Sequence, residues 1–349
     1  EPVPRLSPEK ICWNALQPAI AEDEYLRSVE ATAPLSKLIL EQNTHIDFER
    51  ASKASEDLGT AKQEVLKKKR ANQKQELEEV TLKLDANQRR YHEELCQRGA
   101  STWVTTLPLA EHGFLLNKSE FHDAMAMRYN FPIQRVWQTC PCGKNNTLEH
   151  CLSCPLCGYV QMRHNQIRDL TANLLSEAGC KDVVIEPHLL PITGEKFDLR
   201  SANTQNDARL DVSARGVWSA MDKTFLDIRV FNSRAPTNIS KPLKSVLIHH
   251  EKEKKRAYNA RVLEVEKCSF SPIVFSTTGI MGNEACKFYR KLAEKLSGKS
   301  RQSYPDSIRY IRQRLSFCLL KTTIVSLRGF KGKKPTEYNT SLDINLLYM

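Results

Sequence analysis

The spacing of hydrophobic positions changes several times along the 349 residues, and the changes divide the chain. Residues 1–47 set Pro2, Pro4, Pro8, Pro18 and Pro34 between short apolar patches, which predicts a few short helices without a core of their own. Residues 48–99 hold no proline and, before Gly99, only Gly59 in a dense mixture of Lys, Glu, Gln and Ala, which predicts one long charged helix. Leu77, Val80, Leu84, Tyr91 and Leu95 form a heptad seam that Asn87 and Glu94 interrupt. The helix is therefore expected as a solvated arm or weak coiled coil, with residues 48–97 open to oligomerisation. KKKR at 67–70 reads first as an exposed face and second as a nuclear-import or phosphate-contact patch. Residues 100–139 carry Trp103, Phe114, Leu115, Phe121, Met125 and Tyr129, suited to a small helical unit packed on aromatics.

Beyond a cysteine-rich stretch the periodicity alternates between helix and strand. Residues 163–178 place Ile167, Leu170, Leu174 and Leu175 on one helical face, and Gly179 stops them. A strand over 182–188 and a polar loop over 189–207 follow, then strands over 209–213 and 224–231. A charged helix over 246–265, a strand over 272–276, a glycine turn at 279–282 and a helix over 284–296 complete an αβββαβα order within a core of residues 160–300. A basic helix and tail over 301–334, flexible at 331–334, and a last tail over 335–349 close the chain.

The net charge of +11 is concentrated. Between Cys286 and Lys334 fourteen Lys and Arg face two acids, Glu294 and Asp306, an excess that accounts for the whole net charge. Such a region is the electrostatic footprint of a polyanion. No stretch approaches the roughly 20 apolar residues of a membrane span, and no signal peptide is visible, so no membrane partner is expected and the chain reads as soluble and intracellular. It starts at Glu1, as a piece of a longer polypeptide would.

Five of the eleven cysteines fall within residues 140–157. Cys140, Cys142, His150 and Cys154 have the spacing Cys-x-Cys…His-x3-Cys, a tetrahedral zinc set in a knuckle-sized loop over 140–158 with Gly143 after the second cysteine. Cys151 and Cys157 are spare and can replace Cys154. Four protein ligands leave no open position, so the site is structural.

Two strands each carry one acid among apolar residues, Asp211 in ARLDVS and Asp227 in TFLDIRVF. A buried carboxylate is unfavourable unless it is paired or binds a metal. Two on neighbouring strands can meet at one divalent cation, Mg2+ or Mn2+, which takes one or two carboxylates plus waters and substrate phosphate. The competing reading pairs them with Arg209 and Arg229 as ordinary ion pairs. His164 and Asn165 suit a phosphate contact or a helix cap, and His249 and His250 an exposed helix start.

The element order and the paired aspartates resemble the PD-(D/E)XK restriction-like nucleases. With a cysteine–histidine knuckle followed directly by an Arg-His-Asn helix, residues 102–328 resemble the C-terminal region of reverse-transcriptase proteins of non-LTR retrotransposons that carry such an endonuclease. The resemblance implies a restriction-endonuclease-like αβββαβ core with a mixed sheet, preceded by the helical arm and the zinc knuckle. It implies a metal-dependent DNA endonuclease, nuclear, nicking target DNA by phosphodiester hydrolysis so that its 3′ end primes reverse transcription. DNA is the expected partner and RNA the second. Asp211 matches the acid of the family's Pro-Asp pair, with Leu210 where proline is usual, and Asp227 matches the third-strand acid. Arg229 stands where the motif has lysine. Lys254 or Lys255 of the following helix would supply it, Lys255 slightly favoured for standing three residues before Tyr258, and Glu186 or Asp169 would complete the metal shell. No Tyr-x-Asp-Asp polymerase motif is present. The alternative is a nucleic-acid-binding protein that keeps the fold without the cleavage.

Overall fold

The structure, a computed structural model, describes residues 48–133, 136–156, 158–197 and 201–329. The short helices expected within 1–47, Cys157, the basic tail at 331–334 and the tail at 335–349 lie outside the described residues. The chain divides into two compact units, residues 1–84 and 85–349.

In the first unit the described element is α1 (Phe48–Lys83). Leu77, Val80 and Leu82 on it are exposed. The single helix expected over 48–99 is in fact two. Asp85 accepts the Gln88 N–H while the Gln88 side chain returns to the Asp85 N–H, and this capping box starts α2 (Ala86–Cys96) in the second unit. Tyr91 is buried there, and the seam-breaking Glu94 is buried beside it. Glu94 accepts from Ser233 Oγ at 2.9 Å and pairs with Arg90 at 3.2 Å, so a residue that is wrong for a heptad is right for a packed unit.

The centre of the second unit is a four-stranded mixed sheet in the order β1 (Lys181–Ile185), β2 (Val212–Arg215), β3 (Lys223–Phe231), β4 (Ser269–Ser276). β1–β2 and β2–β3 are antiparallel and β3–β4 parallel. Further helices are α3 (Lys118–Tyr129), the short α4 (Leu148–Cys151), α5 (Tyr159–Glu177), α6 (Leu243–Glu264), which links the parallel strands, α7 (Asn283–Ser300) and α8 (Tyr304–Arg328). The element order is the one the sequence predicts. Glu186, at φ 53°, turns the chain out of β1 earlier than expected.

Period-two alternation sorts β3 between two cores. Leu226 and Ile228 join Ile167 and Leu174 of α5, Phe288 and Leu292 of α7, and Ile311 and Leu315 of α8 on one face. Phe225 and Phe231 pack on the other, where Val246, Leu247 and Val262 of α6 cover them. Asp227 shares that second parity. The glycine turn after β4 lies against the end of α2: a Cβ on Gly99 would stand 2.7 Å from the Gly279 carbonyl oxygen.

The basic helix expected in the C-terminal region forms as α8. α8 is a core helix, and its second apolar stripe, Phe317, Leu320 and Ile324, packs on Trp103, Phe114, Ala124 and Met127. The segment over 100–139 is thus seated on α8, while Leu115, Phe121 and Tyr129 remain exposed. Several of the basic residues act internally. Arg314 pairs with Glu177, Arg328 Nε donates to Asp123 at 2.6 Å, and Lys299 Nζ donates to the Glu177 carbonyl at 2.9 Å. Among the described residues no helix is long and apolar enough to cross a membrane.

Candidate functional site

The cysteine cluster forms as its spacing predicts. Gly143 adopts φ 83°, which lets its N–H reach the Cys140 carbonyl at 2.8 Å and fold the Cys-x-Cys loop. Thr147 caps α4 and so places His150. Cys140 Sγ lies 3.8 Å from Cys154 Sγ and Cys142 Sγ 3.2 Å from His150 Nε2, and the four donor atoms lie within 4.8 Å of one another. A tetrahedron with Zn–S bonds of about 2.3 Å has S–S edges of about 3.8 Å. The set can hold zinc. Cys151, one of the alternatives for the fourth ligand, turns away and donates to Asn146 Oδ1 at 2.9 Å. Burial opposes ionisation of both Cys140 and Cys154. Hydrogen bonds from the Cys142 backbone and from His150 nevertheless draw Cys140 down to about 6, whereas Cys154 is pushed up to about 11.

The cluster also holds the start of α5. Tyr159 and Met162 pack against its cysteines, and the buried Arg163 donates to the Leu152 carbonyl at 2.9 Å. Asn232, just past β3, donates to the Glu149 carbonyl at 3.1 Å and to Ser153 at 3.0 Å.

The aspartates meet where β2 and β3 part. Val212 pairs with Leu226, and the Asp211 N–H still reaches the Leu226 carbonyl at 3.1 Å. Leu210 then turns to Pro187, so Ile228 has no partner residue on β2. Side chains take that place. Asp211 Oδ2 accepts the Ile228 N–H at 2.5 Å, and His164 Nε2 lies 3.1 Å from the Ile228 carbonyl oxygen and 3.3 Å from Asp211 Oδ2. Asp227, 6% exposed, receives Lys254 Nζ of α6 at 3.1 and 3.0 Å from its two oxygens.

The two carboxyls act on each other's charge and divide their protons unequally. Burial drives Asp227 up to about 7, helped by the neighbouring Asp211 charge and opposed by Lys254. Burial would raise Asp211 too, but His164 and the Ile228 N–H hold it below the usual carboxylate range. His164 is raised, because Asp211 outweighs its burial.

The other expected site residues are elsewhere engaged. Lys255, slightly favoured from sequence, pairs with Glu284 at 3.2 Å, and Lys254 is the lysine at Asp227. Arg229 follows Asp227 on the same face of β3 but pairs with Glu253 at 2.7 Å. Glu186 and Asp169, the candidates for a third acid, are both drawn to Arg168, Asp169 at 2.8 Å, and Arg209 stands 3.9 Å from Glu186. The ion pairs that would have made the aspartates merely structural, with Arg209 and Arg229, do not form. His250 is buried against Phe231, not exposed at a helix start, and burial pushes it down to about 4.

His164 is the residue whose part at the aspartates the sequence does not announce. α5 starts at Tyr159 after Gly158, so His164 lies in its second turn and is not a cap. The available signal is its place three and seven residues before the buried Ile167 and Thr171, on the same stripe. No protein-family model matches the chain, and no curated protein is significantly similar to it.

Proposed function

We propose that the second unit is a metal-dependent DNA endonuclease of the restriction-like fold and retrotransposon origin, acting in the nucleus on phosphodiester bonds. What carries the reading is the pair of carboxyls, the half-buried Asp211 and the buried Asp227, at the opening between β2 and β3 with Lys254 against one of them. The donor set suits a hard cation: both groups are carboxyls on neighbouring strands, and burial leaves Asp227 near 7, so a cation there would favour an anion that its surroundings disfavour. Asp211 and Asp227 would hold Mg2+ or Mn2+, which supplies a more acidic bound water and neutralises charge on the phosphate. Lys254 is the cation in place to meet a phosphate oxygen. His164 and the Ile228 N–H orient Asp211 from behind, and the zinc cluster steadies the helix that carries His164. Priming of reverse transcription follows from the resemblance, with the polymerase on another segment or chain.

The test is nicking of supercoiled plasmid with Mg2+ or Mn2+, comparing the parent with an Asp211→Ala, Asp227→Ala variant. The expected outcome is open-circle product from the parent and none from the variant. Nicking that survives the double substitution, or tight DNA binding by the parent with no nicking, would sink the catalytic reading. The second result favours a binding protein, for which the pairing of both aspartates by His164 and Lys254 is the supporting observation.

A further inference from the structure

An open cleft of about 460 Å³ lies between α6 and α7. Lys252, Lys255, Lys287 and Arg290 line it, with Glu251 and Glu284 between them. Glu284 is shared by Lys255 at 3.2 Å and Lys287 at 3.4 Å. Glu251 is buried and accepts the Glu284 N–H at 2.8 Å, at the start of α7. Lys252 and Arg290 form no ion pair among the described residues.

The basic surface continues past the cleft. Arg98, which follows α2, and Arg312 of α8 act together with Arg290 on the half-buried Cys286 thiol at the cleft wall. Arg312 is held below its ordinary value by burial and by the Arg98 and Arg290 charges. None of these three guanidiniums meets a carboxylate at ion-pair distance among the described residues. Grouped cations without an acid repel one another, and a negative charge from outside the protein relieves that repulsion. The six cations come from α6, α7, α8 and the residues just after α2, four of them lining the cleft and two beyond it. That distribution fits a repeating anion better than a single one.

We propose that this cleft and its arginine extension hold the phosphate backbone of DNA. The inference rests on the nucleic-acid reading above but not on cleavage. It gives Lys255 a role that the site does not, since it stands next to Lys254 in sequence yet faces the cleft. Backbone contacts of this kind position a duplex and carry no sequence information.

The experiment measures binding of two short duplexes of unrelated sequence to the full chain by fluorescence anisotropy across a salt series. In the Lys252→Ala, Lys287→Ala, Arg290→Ala variant, affinity at low salt should fall roughly tenfold or more for both duplexes. The slope of log K against log salt should shrink by about 0.9 for each phosphate that the variant no longer neutralises. A charge-keeping variant, Lys252→Arg, Lys287→Arg, Arg290→Lys, should retain the parent slope, which separates the removal of charge from misfolding. An unchanged slope in the alanine variant overturns the proposal, as does an equal loss in the charge-keeping one. Displacement of the duplex by inorganic phosphate at constant ionic strength also overturns it, in favour of a single-anion site. Absent nicking by the parent together with an intact slope counts against cleavage and leaves the cleft standing.

Discussion

The cysteine–histidine cluster draws its four donors from residues 140–154, whereas Asp211, Asp227, Lys254 and His164 come from α5, the start of β2, β3 and α6 across residues 164–254. Cys140, Cys142, His150 and Cys154 have chiefly one another as partners. Each aspartate already has a counter-charge from the protein, His164 for one and Lys254 for the other. An ion in the first site is part of what holds the loop together. An ion in the second adds to a network that closes without it. The two metals should therefore fail differently when removed: loss of zinc should reach the fold, and loss of a divalent cation should reach the chemistry alone.

The largest effect expected is at the cluster. Cys140→Ser with Cys142→Ser should take bound zinc from near one per chain to near zero by metal analysis. It should also lower the melting temperature by several degrees, because metal binding and folding are coupled and α5 starts against these cysteines. A double variant without zinc that melts with the parent would make the cluster, like the aspartate pair, a dispensable ion site. A smaller effect should separate the two neighbouring lysines. Lys254→Ala should reduce plasmid nicking by about a hundredfold or more, in the range of other positioned charges, while Lys255→Ala should stay within a few-fold of the parent. Equal losses would remove the distinction the geometry draws between them.

The smallest effect is on stability with pH. Without Mg2+ or Mn2+, Asp227 binds its proton up to about 7, against an ordinary carboxylate value of 3.8 in the unfolded chain. Between those values the folded state holds more protons than the unfolded one, so stability falls as pH rises through that window. The melting temperature of the parent, supplied with zinc but with no Mg2+ or Mn2+, should drop between pH 5 and pH 8, and Asp227→Asn should flatten the curve and be the more stable of the two at pH 8. A parent curve that rises across that range would show that Lys254 outweighs burial.

What can be read from the sequence follows from how each site is made. Cysteine spacing along one loop fixes distances directly, so the cluster is legible in Cys140, Cys142 and His150, while the structure is what chooses Cys154 over Cys151. The two acids are legible because an aspartate in an apolar strand violates the alternation around it. Their partners are not. Lys254 and Lys255 are adjacent letters, and which one reaches β3 depends on the rotation of α6 about its axis. His164 resembles a cap only if the helix is taken to start at Arg163, four residues after the true start that Gly158 sets. The basic C-terminal stretch misleads most, because α8 has apolar stripes on two sides and its arginines reach across to Glu177 and Asp123.

The pairing of Ile228 has a consequence for how this sequence can drift. Its N–H and carbonyl are satisfied by the very side chains that make the candidate site, Asp211 and His164. The proposed catalysis and the backbone pairing would thus share the same two residues. A lineage relieved of any need to cut DNA but still required to fold would accept Asn at position 211, whose amide oxygen can take the Ile228 N–H. It would reject Val or Ala there, which leave that N–H without an acceptor. The spectrum of tolerated replacements at position 211 would then record which constraint was lost first.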